Sequence, residues 1–125
     1  MYYALFLILN DVKHLENIHQ IFFDHSCGAT TLDSVGMGKV LLENHVDTPI
    51  FAGIRKLVEG NMPYNKTVIS VMKGEEKMRD IVTCIKRELG AEEMKQGGIG
   101  FMFVLPVLEC HGFIIDDEVG SLNIG

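Results

Sequence analysis

The chain predicts an α+β fold of the ferredoxin-like type, βαββαβ, in which a four-stranded antiparallel sheet carries two helices on one face. Three observations predict it. Strand-like runs occupy residues 2–9, 29–35, 66–72 and 101–108, two stretches of helical periodicity follow the first and third of them, and a long segment without strand patterning, 39–65, separates the second strand from the third.

The first run (YYALFLIL) is apolar throughout and stops at Asn10-Asp11, which suits a strand buried on both faces. Asp11 then starts a helix as its cap, with Val12, Leu15, Ile18 and Phe22 on one face and Cys27-Gly28 as the stop. Residues 29–35 (ATTLDSV) are rich in β-formers and run into Gly36-Met37-Gly38, where glycines permit a positive φ or the close approach of a ligand. Within the 39–65 excursion, Thr48-Pro49 followed by Ile50, Phe51, Ile54, Leu57 and Val58, with Gly60 beyond, spells a short amphipathic helix. Residues 66–72 return to β character. Residues 74–89 form the second helix, with Met78, Ile81, Val82, Ile85 and Leu89 on its apolar face and Gly90 at its end. A polar connection at 91–96 leads to Gly97-Gly98-Ile99-Gly100 and the last strand, FMFVLPVL, where Pro106 favours a sheet edge or a bulge. The tail, 112–125, offers a further short strand at 113–115.

With 125 residues, 47% hydrophobic and 22% charged, the chain reads as one compact domain, 1–125. The net charge of −6 and the dispersed basic residues argue against nucleic-acid binding. The opening apolar run falls well short of the roughly 20 residues of a membrane-spanning helix, so no membrane insertion is expected. Three cysteines, Cys27, Cys84 and Cys110, match neither a disulfide framework nor a zinc ligand set, and reduced thiols in the cytoplasm are the plain expectation. Because the first and last strands do not alternate, the sheet face without helices is greasy as well. Closed homo-oligomerisation would cover it.

This layout resembles the PII family of small trimeric signalling proteins, the nitrogen regulatory protein P-II group. Three features carry the resemblance: GATTLDSVGMGK at 28–39, the long loop in the T-loop position, and GGIGFMFVLPV at 97–107. It implies a homotrimer whose sheet faces meet centrally, with a small anionic effector, an adenine nucleotide (ATP, ADP or AMP) being the candidate, bound between subunits. It also implies a T-loop, here 39–65, that signals to a target protein. Gly36 and Gly38 match the glycines at the T-loop base, and Lys39 stands where a basic residue is usual. Gly98 and Gly100 match the glycines of the family's phosphate-cradling loop, with Gly97 beside them as a further ligand-binding residue the resemblance implies, and Thr30 matches a threonine near the adenine pocket. The chain departs from the family at Phe101, where a phosphate-gripping lysine is usual, at Glu109 or its uncharged neighbours, where arginine is usual, and at Val40, where a glutamine helps hold Mg²⁺ and 2-oxoglutarate. Losing two cationic contacts removes charge-assisted hydrogen bonds of roughly 1.5–3 kcal/mol each, so the resemblance implies a divergent member with a different or weaker ligand. Tyr64 lies near the end of the loop, offset from the tyrosine that some PII proteins modify.

Other residues carry plainer readings. A glycine-rich turn between a helix and a strand has no helix N-terminus behind it, so an anion would rest on backbone N–H groups, with Lys95 or Lys39 nearby. His14 and His25 are expected on the exposed side of the first helix and His19 beside its apolar stripe, with His45 and His111 elsewhere. No pair of histidines is spaced i, i+4. A trimeric metal-handling protein resembling the CutA group is the alternative class, with histidines gathered across subunits. Cys110-His111 suggests a small enzyme, but adjacent strand residues point to opposite faces. No enzymatic step and no metal site are expected.

Overall fold

The structure is a computed structural model that describes residues 1–37, 65–96 and 98–112. The expected helix in the 39–65 excursion and the strand at 113–115 lie outside these residues. Four strands form one antiparallel sheet: β1 (Tyr2–Leu9), β2 (Thr30–Ser34), β3 (Asn65–Lys73) and β4 (Gly100–Val107), in the order β2-β3-β1-β4. Among the described residues the helices are α1 (Leu15–Asp24), α2 (Glu75–Leu89) and a short α3 (Ala91–Gln96). This is the ferredoxin-like α+β arrangement expected from the sequence. Pro106 falls on β4, an edge strand, where a missing N–H costs least.

Register explains which residues meet the helices. Leu5, Leu7 and Leu9 of β1 alternate onto the same face as Val68, Ser70 and Met72 of β3, and these pack under Ile18 and Phe22 of α1 and Met78, Ile81, Ile85 and Leu89 of α2. Each large apolar side chain fully buried in this way contributes roughly 1.5–3 kcal/mol. The polar member, Ser70, is satisfied by donating from Oγ to the Gly28 carbonyl at 2.6 Å, which ties the approach to β2 onto β3.

Three local expectations are corrected. The first helix does not stop at Cys27-Gly28. It ends at Asp24, where the Cys27 N–H donates to the Phe22 carbonyl at 2.9 Å and the Ser26 N–H to Phe23 at 3.0 Å, with Ser26 at φ 58. That is a Schellman closure with serine where glycine is usual. The connection at 91–96 is a helix rather than a loop, because half-buried Met94 packs on the core and its N–H reaches the Gly90 carbonyl at 3.1 Å. Nor do His14 and His25 lie on an exposed helix face. His14 stands at the N-terminal end of α1, half-buried against α2, with Nδ1 2.8 Å from Glu88 Oε2, and His25 lies half-buried just past the helix, with Nδ1 2.7 Å from the Ile21 carbonyl. His19 is exposed, its Nε2 2.7 Å from Thr31 Oγ1 of β2. The start of α1 is as expected in kind, since Asp11 Oδ1 accepts from the Lys13 N–H at 3.2 Å, although the first turn, Val12–His14, is 3-10.

The opposite sheet face is apolar. Phe6 and Ile8 of β1, Ile69 and Val71 of β3 and Phe101, Phe103 and Leu105 of β4 share it, and Phe101 is 61% and Leu105 48% exposed. Among the described residues no helix is long and apolar enough to cross a membrane.

Candidate functional site

The antiparallel register brings four chain segments to one end of the sheet. Leu9 at the end of β1 lies opposite both Lys66 of β3 and Gly100 of β4, and Ser34 at the end of β2 lies opposite Asn65. The glycine-rich turn and both strands flanking the 38–64 segment therefore share this end.

The glycines there have different physical causes. Gly98 has φ 87, a conformation other residues adopt only with strain. Gly100 is demanded by packing, since a Cβ would lie 3.0 Å from the Ile8 carbonyl oxygen and 3.8 Å from Leu7 Cδ1 and Leu89 Cδ1. Gly36 has neither reason. Its φ is not positive, and among the described residues a Cβ would meet only Asn65 Nδ2, at an ordinary 3.9 Å.

Gly38, Lys39 and Gly97 lie outside the described residues. The remaining sequence-predicted residues do not converge within one chain. Gly36 follows β2 and Gly98 precedes β4, the two opposite edges of the sheet, separated by three strand spacings or roughly 14 Å. Thr30 is exposed at the far end of β2, four residues or roughly 13 Å from Ser34. A ligand touching Gly36 and Gly98 of one chain would have to span those three strand spacings.

Phe101 follows the glycines on the open face, its ring 5.6 Å from that of Phe103. Lys95 pairs with Glu92 at 3.8 Å and Lys66 with Asp33. At the end of β4, His111 Nε2 lies 3.1 Å from Glu109 Oε1, both exposed, beside half-buried Cys110. Among the described residues no three His, Cys, Asp or Glu side chains gather as metal ligands.

A polar cluster links these elements, and sequence reasoning missed it. Ser34 Oγ donates to Asn65 Oδ1 and lies 2.8 Å from Thr67 Oγ1, while Asn65 Nδ2 donates to Asn10 Oδ1 at 3.3 Å. The Asn10 N–H donates to the Ile99 carbonyl at 3.0 Å, inside the glycine turn. The signal was the polar residues at the strand ends, but Asn10 by itself reads only as a strand terminator.

No protein-family model matches the chain, and no curated protein does. Among solved structures it is similar to that of a functionally unknown protein from Pediococcus pentosaceus ATCC 25745, at TM-score 0.56 and 16% identity over 90% of this chain and 97% of that one. At this identity the likeness is one of fold, and it extends over most of both chains.

Proposed function

We propose that the protein is a PII-like regulator, a homotrimer that binds a small anionic effector between subunits and signals to a target protein through the 39–65 loop. The observation that carries this reading is the gathering of the glycine turn and the two strands flanking the 38–64 segment at one end of the sheet. The open apolar face supports the assembly, because a face this greasy calls for a cover of its own kind. Gly36 supports the site, since its lack of a side chain has no cause within the described part of the chain and suits a ligand or neighbour approaching the backbone. An adenine nucleotide is the candidate effector, with the turn's N–H groups taking phosphate and Phe101 replacing a cation. Effector occupancy would bias the loop, the target would read it, and by linkage the target would alter effector affinity. The protein would work in the cytoplasm without an enzymatic step of its own.

The test is a thermal-shift panel of ATP, ADP, AMP, 2-oxoglutarate, Cu²⁺ and Zn²⁺ on protein whose assembly is measured by light scattering. A trimer whose melting point rises with a nucleotide is the expected result, because a ligand selective for the native state stabilises it. A monomer overturns the reading, and a trimer that responds to metal alone overturns it in favour of the CutA-like class.

A further inference from the structure

The polar cluster at the loop end crosses the whole sheet. It begins at Ser34 on the β2 edge, passes through Asn65 of β3 to Asn10 at the end of β1, and reaches Ile99 before the β4 edge. Each link is a hydrogen bond between residues far apart in sequence. The three side chains are also held in part out of water, where a broken bond is not fully replaced by solvent.

We propose that Asn10 and Asn65 form a relay that couples the conformation of the glycine turn to that of the strand ends at Ser34 and Asn65. Asn10 is the junction. Its backbone N–H holds the turn through the Ile99 carbonyl, and its side-chain oxygen holds Asn65, so a shift of the turn moves both bonds of one residue. Asn65 is fixed from the other side by Ser34, which Thr67 also contacts. The Asn65 side chain therefore has two anchors, one from each half of the sheet. The proposal rests on the regulatory reading only for its use, since it supplies the route by which an effector at the turn would reach the base of the signalling segment.

Spatial intermediacy alone does not establish coupling, so the test measures it in both directions without any ligand. Amide hydrogen exchange is followed residue by residue in the full chain and in the Ser34→Ala, Asn10→Ala, Asn10→Asp and double Ser34→Ala/Asn10→Ala variants, with the amides of Leu7 and Ile85 reporting global stability. The relay predicts that Ser34→Ala speeds exchange of the Asn10 amide by about fivefold or more, a change in the range of ordinary coupling between sites. It also predicts that Asn10→Ala speeds exchange around Ser34 and Asn65, and that the double variant is less than additive. Asn10→Asp keeps an acceptor for Asn65 and is expected to behave as wild type. Effects confined to the mutated strand, or full additivity, overturn the relay. If Asn10→Ala fails to fold, the Ser34→Ala effect on the Asn10 amide still decides. A coupled cluster together with a nucleotide panel that gives no response would leave the relay standing and remove the effector reading alone.

Discussion

The rings of Phe6 and Phe103 stack face to face across β1 and β4, with centroids 4.9 Å apart and planes within 4°. The pair sits on the sheet face away from the helices, so the stack stabilises the face without contributing to the helix-side core. If copies of the chain meet through this face, Phe103→Glu buries an uncompensated carboxylate at the contact, which costs several kcal/mol on the order of other unpaired buried charges. On the trimeric reading the expected outcome in light scattering is a monomer at concentrations where the wild type assembles, with far-UV circular dichroism unchanged. An assembly unaffected by Phe103→Glu would show that another surface joins the subunits.

Gly100 and Gly36 should respond differently to the same substitution. Gly100→Ala drives a methyl against the Ile8 carbonyl oxygen, and overpacking of this kind costs about 1–3 kcal/mol in urea unfolding. Gly36→Ala has room and should leave stability within about 0.5 kcal/mol, as surface changes usually do. On the regulatory reading the same Gly36→Ala abolishes any nucleotide-induced rise in melting point.

Ser26 closes α1 in the left-handed region at φ 58. A side chain there costs roughly 1–2 kcal/mol, partly offset by the greater backbone freedom that glycine has in the unfolded chain. Ser26→Gly is therefore expected to stabilise the protein by about 0.5–1 kcal/mol, read as a higher urea midpoint at constant slope. A loss of stability would mean that the serine hydroxyl contributes more than its backbone costs.

The Glu88 carboxyl is held below its ordinary value by the hydrogen bond from His14, then by that from Asn17 at 3.0 Å. A carboxylate depressed in the folded state adds stability above its unfolded pKa and loses it as pH falls through the folded value. The contribution of Glu88 should thus be complete above the ordinary value of 4.5 and decline below it. Urea midpoints of wild type and Glu88→Gln across pH 3–7 check this, with a wild-type advantage at neutral pH that shrinks in acid. An advantage that grew in acid would reverse the sign and discard the mechanism.

Much of the fold was legible because each element carries its own local cause. Residues 2–9 and 101–108 announce strands by composition, the spacing of Met78, Ile81, Ile85 and Leu89 announces a helix, and Gly90 announces its end. The misreadings come from contacts between elements. Met94 is the one large apolar residue of 91–96, too weak a period to reveal α3, and its anchoring on the core makes the helix. Ser26 carries no left-handed signal, while Gly28 does, so local pattern sets the helix end too late. His14 reads as helix surface until α2 brings Glu88 beside it.

The candidate site divides in the same way. The glycines at 36, 98 and 100 could be picked out by residue type alone, but the reason for each could not, since the need for Gly100 depends on Ile8, 92 positions earlier in the chain. The order of strands and helices, the greasy second sheet face and the acidic balance were determined by local pattern and composition, which any window of the chain carries. The register that sets Ser34 beside Asn65, and the turn that sets Asn10 between Asn65 and Ile99, were decided only by tertiary structure. Hydrogen bonds between distant residues depend on three-dimensional geometry, and no local pattern encodes which strand ends will meet.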